Sequence, residues 1–223
     1  MVIRNRLFAF LFRVASFGVS VWSCYLLFAT MPPAIALCYF TVQTNILIAG
    51  VFALLVLFNL IDLIKHGLHG VAAGLWMPFA LAGLLYALMT AIVGNGFLSQ
   101  SPYTLTTVLA HIVTPALYLL DWMLFEEKGT VKWWHAFYWL VFPAFYGAFI
   151  FIRPTIWPDV IVDTKNNSMY PYYFIDVTKN GAQQVSINVA ILAAAFFVLG
   201  LVIVFFNNLM GGRFKKRTPS LKA

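Results

Sequence analysis

The sequence predicts an all-α integral membrane protein, a bundle of six transmembrane helices with both termini in the cytoplasm. Apolar residue types make up 62% of the 223 residues, and charged types supply only 9%, far below the roughly 25% of an average soluble domain. The apolar residues form long uninterrupted runs, each near the ~20 residues that cross a bilayer. The basic residues gather at the ends of these runs, which sets the direction of the chain.

Six apolar runs are expected to span the membrane, and the turns between them leave no length for a separate soluble domain. The first run exceeds the roughly 7–15 residue core of a cleavable signal peptide and contains Arg13. Both features favour a retained signal anchor over cleavage after Ala36. Residues 1–223 therefore form one membrane domain. The predicted spans lie near residues 7–30, 38–63, 71–93, 105–125, 134–152 and 185–206.

The distribution of basic residues predicts the orientation. Eleven of the fourteen Lys and Arg residues fall on the side of both termini, and the other three lie in one long outer connection, residues 153–184. By the positive-inside rule, the termini are cytoplasmic. The basic tail, residues 211–223, is expected to lie on an anionic membrane surface, with a dedicated partner site as the alternative. The net charge of +7 does not indicate nucleic-acid binding, because no stretch alternates basic residues with exposed aromatics on a soluble face.

Polar side chains inside the apolar runs are the candidate functional residues, because such groups are costly in lipid and usually face the bundle interior. Thr41, Thr44 and Asn45 share one face of the second span by their helical spacing. His111 is the only histidine in the interior of a predicted span, since His135 lies at the inner start of the fifth. In the fourth span its neighbours one turn before and after are Thr107 and Thr114.

The depths of Thr41 and His111 allow the two side chains to meet. Counted from the outer ends of their spans at 1.5 Å per residue, Thr41 lies about 6 Å deep and His111 about 10 Å. A threonine hydroxyl is a weak nucleophile that needs an adjacent base, and histidine is suited to take and return its proton. The alternatives are structural: Thr41 bonded to its own backbone, and His111 in an interhelical hydrogen bond. Four residues are candidates to support this pair or to stabilise an oxyanion: Asn45, Thr44, Thr107 and Thr114. For Asn45 and Thr44 the alternative is a link between helices.

The outer connection is predicted to form an amphipathic lid, with an aromatic interfacial belt as the alternative. Its candidate lid residues are Tyr170, Tyr172, Tyr173 and Asp176.

Two further expectations concern the spans themselves. Pro115 and Pro143 are expected to kink the fourth and fifth spans and to free one carbonyl each. Asp121 is expected at the inner interface. No metal site or cofactor is predicted, because the remaining histidines lie near the inner surface without a third clear ligand.

Three segments give the chain a resemblance to a known family: YFTVQTN in the second span, HIVTPALYLLDW in the fourth and YPYYFIDV in the outer connection. In this order they resemble the integral-membrane family of the androgen-induced protein and the androgen-dependent TFPI-regulating protein, most closely its bacterial branch. The resemblance implies a six-helix hydrolase with a Thr and His pair, active in animal members on branched fatty acid esters of hydroxy fatty acids. It carries that pair onto Thr41 and His111. The proline after the histidine lies one position earlier than in the animal proteins, which changes the expected pocket shape.

Two functions follow from these expectations. The first is hydrolysis of a lipid ester by Thr41 and His111 in a bacterial cytoplasmic membrane. The second is a non-catalytic bundle that binds or transports lipid, in which Thr41, Asn45 and His111 only join helices. A channel is disfavoured, because no span carries a stripe of charged or hydroxyl residues long enough to line a pore.

Overall fold

A computed structural model of the chain describes residues 2–98, 103–129 and 131–215. Within these ranges the protein is helical without strands, and six helical segments are long and apolar enough to cross a membrane. Three are single helices: α1 (Arg6–Thr30), α3 (Phe40–His66) and α4 (Met77–Gly96). The fourth span consists of α5 (Leu105–Val108), a π-helical turn (Leu109–Val113) and α6 (Thr114–Phe125). The fifth consists of α7 (His135–Tyr138) and α8 (Val141–Ile156). The sixth is α9 (Val177–Lys215).

The predicted spans agree with the helices within a few residues, except at the start of the third and at both ends of the sixth. The third helix begins at Met77, six residues later than predicted, because Pro78 favours the first turn of a helix and residues 71–76 have no regular secondary structure. The sixth begins at Val177, eight residues earlier, and ends at Lys215, nine residues later than predicted. It bends at Gly181, whose φ of 74° is outside the helical range. The outer connection is therefore shorter than predicted. The part of the basic tail from residue 216 onward lies outside the described residues.

The helix ends define two faces of the bundle. At one face, called here the termini face, the Ile3 amide bonds to the Leu124 carbonyl and Asn5 pairs with His69. At the other, called here the loop face, the short helix α2 (Pro33–Ala36) and a 3-10 turn (Tyr173–Ile175) lie beside the start of α3. Successive spans are therefore connected alternately at the loop face and at the termini face.

The third span lies at the centre of the bundle. α4 is the most buried of the six spans and packs against α3, α6 and α9. α1 packs along α3 and against α6. Large apolar side chains remain exposed on the outer faces of the other helices, as expected where lipid is the solvent.

The carbonyls that Pro115 and Pro143 were predicted to free each accept a hydrogen bond from a side chain of α4. Pro115 has no amide for the carbonyl of His111, which instead accepts a hydrogen bond from Asn95 Nδ2 at 3.1 Å. Pro143 likewise leaves the carbonyl of Trp139, which accepts one from the Tyr86 hydroxyl at 2.8 Å. The π-turn before Pro115 places the Thr114 amide on the carbonyl five residues back.

A buried ionic cluster lies in the half of the bundle next to the termini face, and it includes Asp121, which was expected at the inner interface. The guanidinium of Arg13 is fully buried and contacts Asp121 at 2.7 and 3.1 Å and Glu126 at 2.8 Å. Asp121 is therefore a buried partner of α1, because an unpaired guanidinium inside a span is very costly.

Candidate functional site

A cavity of about 470 Å³ opens in the half of the bundle next to the loop face. Its walls come from α3, α4, α8, α9 and the loop after α8, and they are almost entirely apolar. This volume lies within the range of small-molecule sites. The polar residues in its lining are Thr41, Thr90, Tyr146 and Tyr172.

Thr41 lies at the start of the second span, as predicted, and lines this cavity. It is the second residue of α3 and is 8% exposed. Within the described part of the chain, its hydroxyl makes no hydrogen bond to a backbone carbonyl, although that is the usual state of a helical threonine. The carbonyl of Leu37, four residues earlier, instead accepts a bond from the Gln43 side chain. The Thr41 hydroxyl is therefore not used by its own helix and lies at the cavity, beside the phenol of Tyr172.

His111 is buried in the centre of the π-turn, a distortion that recurs at functional sites. Its Nδ1 lies 3.1 Å from the Thr90 carbonyl. A carbonyl oxygen only accepts, so Nδ1 carries the proton and Nε2 holds the free lone pair. The neutral ring is thereby fixed in the tautomer whose Nε2 is able to act as a base.

Gly94 allows the His111 ring to reach this position. A Cβ at residue 94 would overlap the ring, at 2.5 Å from Cε1 and closer still to Nδ1. Gly94 and Thr90 both line the cavity, whereas His111 is not among its lining residues. The His111 ring thus lies directly behind the part of the wall that α4 contributes.

Asn45 links the two candidate helices rather than offering a free donor. Its Nδ2 donates to the Thr41 carbonyl at 2.8 Å and to the Ala110 carbonyl at 3.2 Å. Its Oδ1 accepts a bond from Ser23 at 3.2 Å. Both amide protons are therefore directed at backbone carbonyls, which ties the turn of Thr41 to the residue before His111.

The other candidate threonines, Thr44, Thr107 and Thr114, do not line the cavity. Thr44 and Thr114 are fully buried, and neither hydroxyl has a hydrogen-bond partner among the described residues. Thr107 caps the start of α5: its hydroxyl accepts a bond from the Thr104 amide at 2.9 Å. These positions are structural in the arrangement seen here.

Of the predicted lid residues, Tyr172 reaches the cavity. Its phenol lies beside the Thr41 hydroxyl and the amides of Phe40 and Thr41. Burial raises the pKa of this phenol, and hydrogen bonding from those neighbours acts in the opposite direction. Tyr170 is buried beneath the loop, and Tyr173 is 63% exposed.

Asp176 holds the start of α9 and is not free for chemistry. Its carboxylate accepts bonds from the Ser168 hydroxyl at 2.6 Å and from the Thr178 amide at 2.9 Å. Burial acts to raise the pKa of Asp176, but these hydrogen bonds outweigh it and the pKa lies below its usual value. The carboxylate is thus an N-cap that joins the loop to the sixth span.

Sequence reasoning missed the contribution of α4. Thr90, Gly94 and Asn95 hold the ring and the carbonyl of His111, yet none of the three was among the candidate residues. One signal was present: Pro115 must free the His111 carbonyl, and that carbonyl needs a donor from another helix.

Comparison of the chain with protein-family models, with curated proteins and with solved structures finds no match.

Proposed function

We propose that the protein hydrolyses lipid esters inside the membrane, with Thr41 as nucleophile and His111 as general base. A single observation carries the proposal: the Thr41 hydroxyl, free of backbone bonds, faces an apolar cavity, and the His111 ring lies directly behind the α4 wall of this cavity in the tautomer that leaves Nε2 unprotonated. A lipid with an ester group fits this combination of apolar walls and few polar groups. The likeness of the three segments to the hydrolase family supports the same chemistry.

The proposed reaction is a two-step acyl transfer. The Thr41 oxygen attacks the ester carbonyl carbon while its proton passes to His111 Nε2. The tetrahedral intermediate collapses, the bond to the leaving alcohol breaks, and His111 returns the proton to that alcohol. A water then attacks the acyl-threonine with His111 again taking a proton. Collapse releases the carboxylic acid and restores the Thr41 hydroxyl.

The cavity walls determine which substrates fit, and they contribute little to binding affinity. A lipid substrate comes from the bilayer, where its chains are already in an apolar medium, so burying them in the cavity adds little free energy. Selectivity therefore rests on cavity length and on polar contacts at the ester. We propose branched fatty acid esters of hydroxy fatty acids as the substrate class. Their rate of hydrolysis is to be compared with that of single-chain esters.

The competing function is a lipid-binding bundle without catalysis. It is favoured by the bonds that Asn45 and His111 make to backbone carbonyls of other helices, since such bonds also serve to join helices.

Purified Thr41→Val and His111→Ala variants, assayed for ester hydrolysis and for thermal unfolding in detergent, separate the two functions. The hydrolase predicts that both variants lose turnover, by about 1,000-fold or more, while Thr41→Val melts near the wild-type temperature. Thr44→Val, on the same helix without lining the cavity, is the matched control and retains turnover. Wild-type hydrolysis in both variants would exclude the mechanism and leave lipid binding.

We further propose that the termini face is cytoplasmic and that the cavity opens toward the outer leaflet of a bacterial cytoplasmic membrane. The support is the excess of Lys and Arg in the segments of the termini face. Single cysteines at residue 67 and at residue 165, in a background without Cys24 and Cys38, test the orientation. A membrane-impermeant maleimide is expected to label residue 165 in intact cells, and labelling of residue 67 alone would reverse the orientation.

A further inference from the structure

We propose that the first two amides of α3, the N–H groups of Phe40 and Thr41, form the oxyanion hole for the ester carbonyl. The inference rests on the proposed function and adds to it the groups that stabilise the charge formed during attack. It replaces Asn45, the sequence-based candidate, whose two amide protons are both directed at backbone carbonyls.

The backbone of the helix does not use these two amides. Neither has a backbone acceptor within the described residues, whereas the amides of Val42 and Gln43 both bond to the Tyr39 carbonyl. Unpaired amides are a property of every helix start, and in a helix of 27 residues they carry the positive end of the helix dipole. By itself this feature defines no ligand.

Three observations at this helix start indicate a ligand oxygen. The Thr41 side chain, more than nine-tenths buried, lines the cavity with no hydrogen bond to the backbone. The phenol oxygen of Tyr172, another lining residue, lies against both amides and marks a position for an oxygen there. On the α4 wall of the same cavity, the hydroxyl of Thr90 is buried and has no hydrogen-bond partner in the described structure.

The arrangement suits an acyl-transfer site because the nucleophile and the donors belong to the same helical turn. When the Thr41 oxygen adds to the carbonyl carbon, the carbonyl oxygen becomes an anion. Backbone amides fixed by a helix stabilise this anion without reorganising, and loss of one such donor costs about 100- to 1,000-fold in kcat. The apolar walls of the cavity strengthen the interaction by excluding water.

Proline at residue 40 tests the proposal, because it removes an N–H group that the helix itself does not use. Proline is favoured at the first position of a helix, and Tyr39, with φ −91° and ψ 128°, already has the extended backbone that a following proline requires. Phe40→Ala is the matched control: it removes the same aromatic ring, which packs on Phe142 and Tyr146, but keeps the amide.

We expect Phe40→Pro to lower kcat by about 100-fold or more relative to Phe40→Ala, with little difference in KM. Phenyllactic acid at residue 40, introduced by nonsense suppression, keeps the ring and replaces the N–H by oxygen; the same loss of kcat is expected against wild type. This second variant decides the question if Phe40→Pro does not fold. Equal kcat within each folded pair would overturn the oxyanion hole. If kcat is equal within each pair but Thr41→Val is inactive, the oxyanion hole is refuted and the proposed hydrolysis by Thr41 is retained. Failure of the further inference is thus distinguishable from failure of the proposed function.

Discussion

Substitution of Gly94 by alanine gives the sharpest prediction about His111. The new methyl carbon would lie 2.5 Å from Cε1 and 2.7 Å from Cγ of the ring, whereas carbon atoms pack at about 3.5–4.0 Å. The ring must therefore retreat by about 1 Å. That movement lengthens the hydrogen bond of 3.1 Å between Nδ1 and the Thr90 carbonyl, which sets the tautomer.

The expected effects on stability and on activity differ in size. Overpacking costs about 1–3 kcal/mol, but replacing a helical glycine by alanine recovers about 1 kcal/mol, so the net loss of stability is about 0–2 kcal/mol. A displacement of about 1 Å in a reacting group lowers kcat by about 100-fold. We therefore expect Gly94→Ala to fold and to lose about 100-fold in kcat.

Two other glycines provide controls in the same assay. Gly147 lines the same cavity and Gly96 lies two residues along α4, and a Cβ at either position meets no atom within 4 Å. Alanine at each is expected to leave kcat within a few-fold of wild type. Nitrogen NMR of selectively labelled histidine is expected to report a protonated Nδ1 in the wild type and a changed signal in Gly94→Ala. Wild-type kcat in Gly94→Ala would refute the position assigned to the base.

The remaining predictions concern stability. Arg13→Met leaves the carboxylate of Asp121 buried without its partner and is expected to lower the free energy of unfolding in detergent by about 3–5 kcal/mol; a loss below about 1 kcal/mol would contradict the buried pair. Tyr86→Phe removes the donor to the Trp139 carbonyl and is expected to cost about 1–3 kcal/mol by the same measurement; an unchanged value would contradict that capping role. Asp176 has a lowered pKa, so its stabilising effect is present above the unfolded pKa of about 3.9 and is lost as pH falls through the lower folded value. Hydrogen exchange of the loop is expected to accelerate there in the wild type but not in Asp176→Asn, and equal profiles would contradict the cap.

The sequence predicted the number of spans because hydropathy and helix length are local properties. It also predicted that Thr41, Asn45 and His111 face the interior, since the cost of burying polar groups in lipid applies to each residue separately. The burial of all three agrees with this expectation. The carbonyls freed by Pro115 and Pro143 followed from the backbone chemistry of proline alone.

The partners of these groups depended on packing between helices, which no local pattern contains. Tyr86 and Asn95 compensate the two prolines from α4, at separations in sequence that periodicity does not encode. The pairing of Arg13 with Asp121 spans 108 residues. Tyr172 was predicted as a lid residue, but its contact with the start of α3 depends on how the loop folds over the cavity.

The most direct test of the central claim is to locate the covalent adduct after treatment with a long-chain fluorophosphonate. The wild-type protein is incubated with the reagent in detergent and digested, and the modified peptide is sequenced by mass spectrometry. The account predicts one adduct, on Thr41, that is absent in Thr41→Val and forms far more slowly in His111→Ala. An adduct on a different residue, or unchanged labelling of Thr41→Val, would contradict the claim that this hydroxyl is the nucleophile.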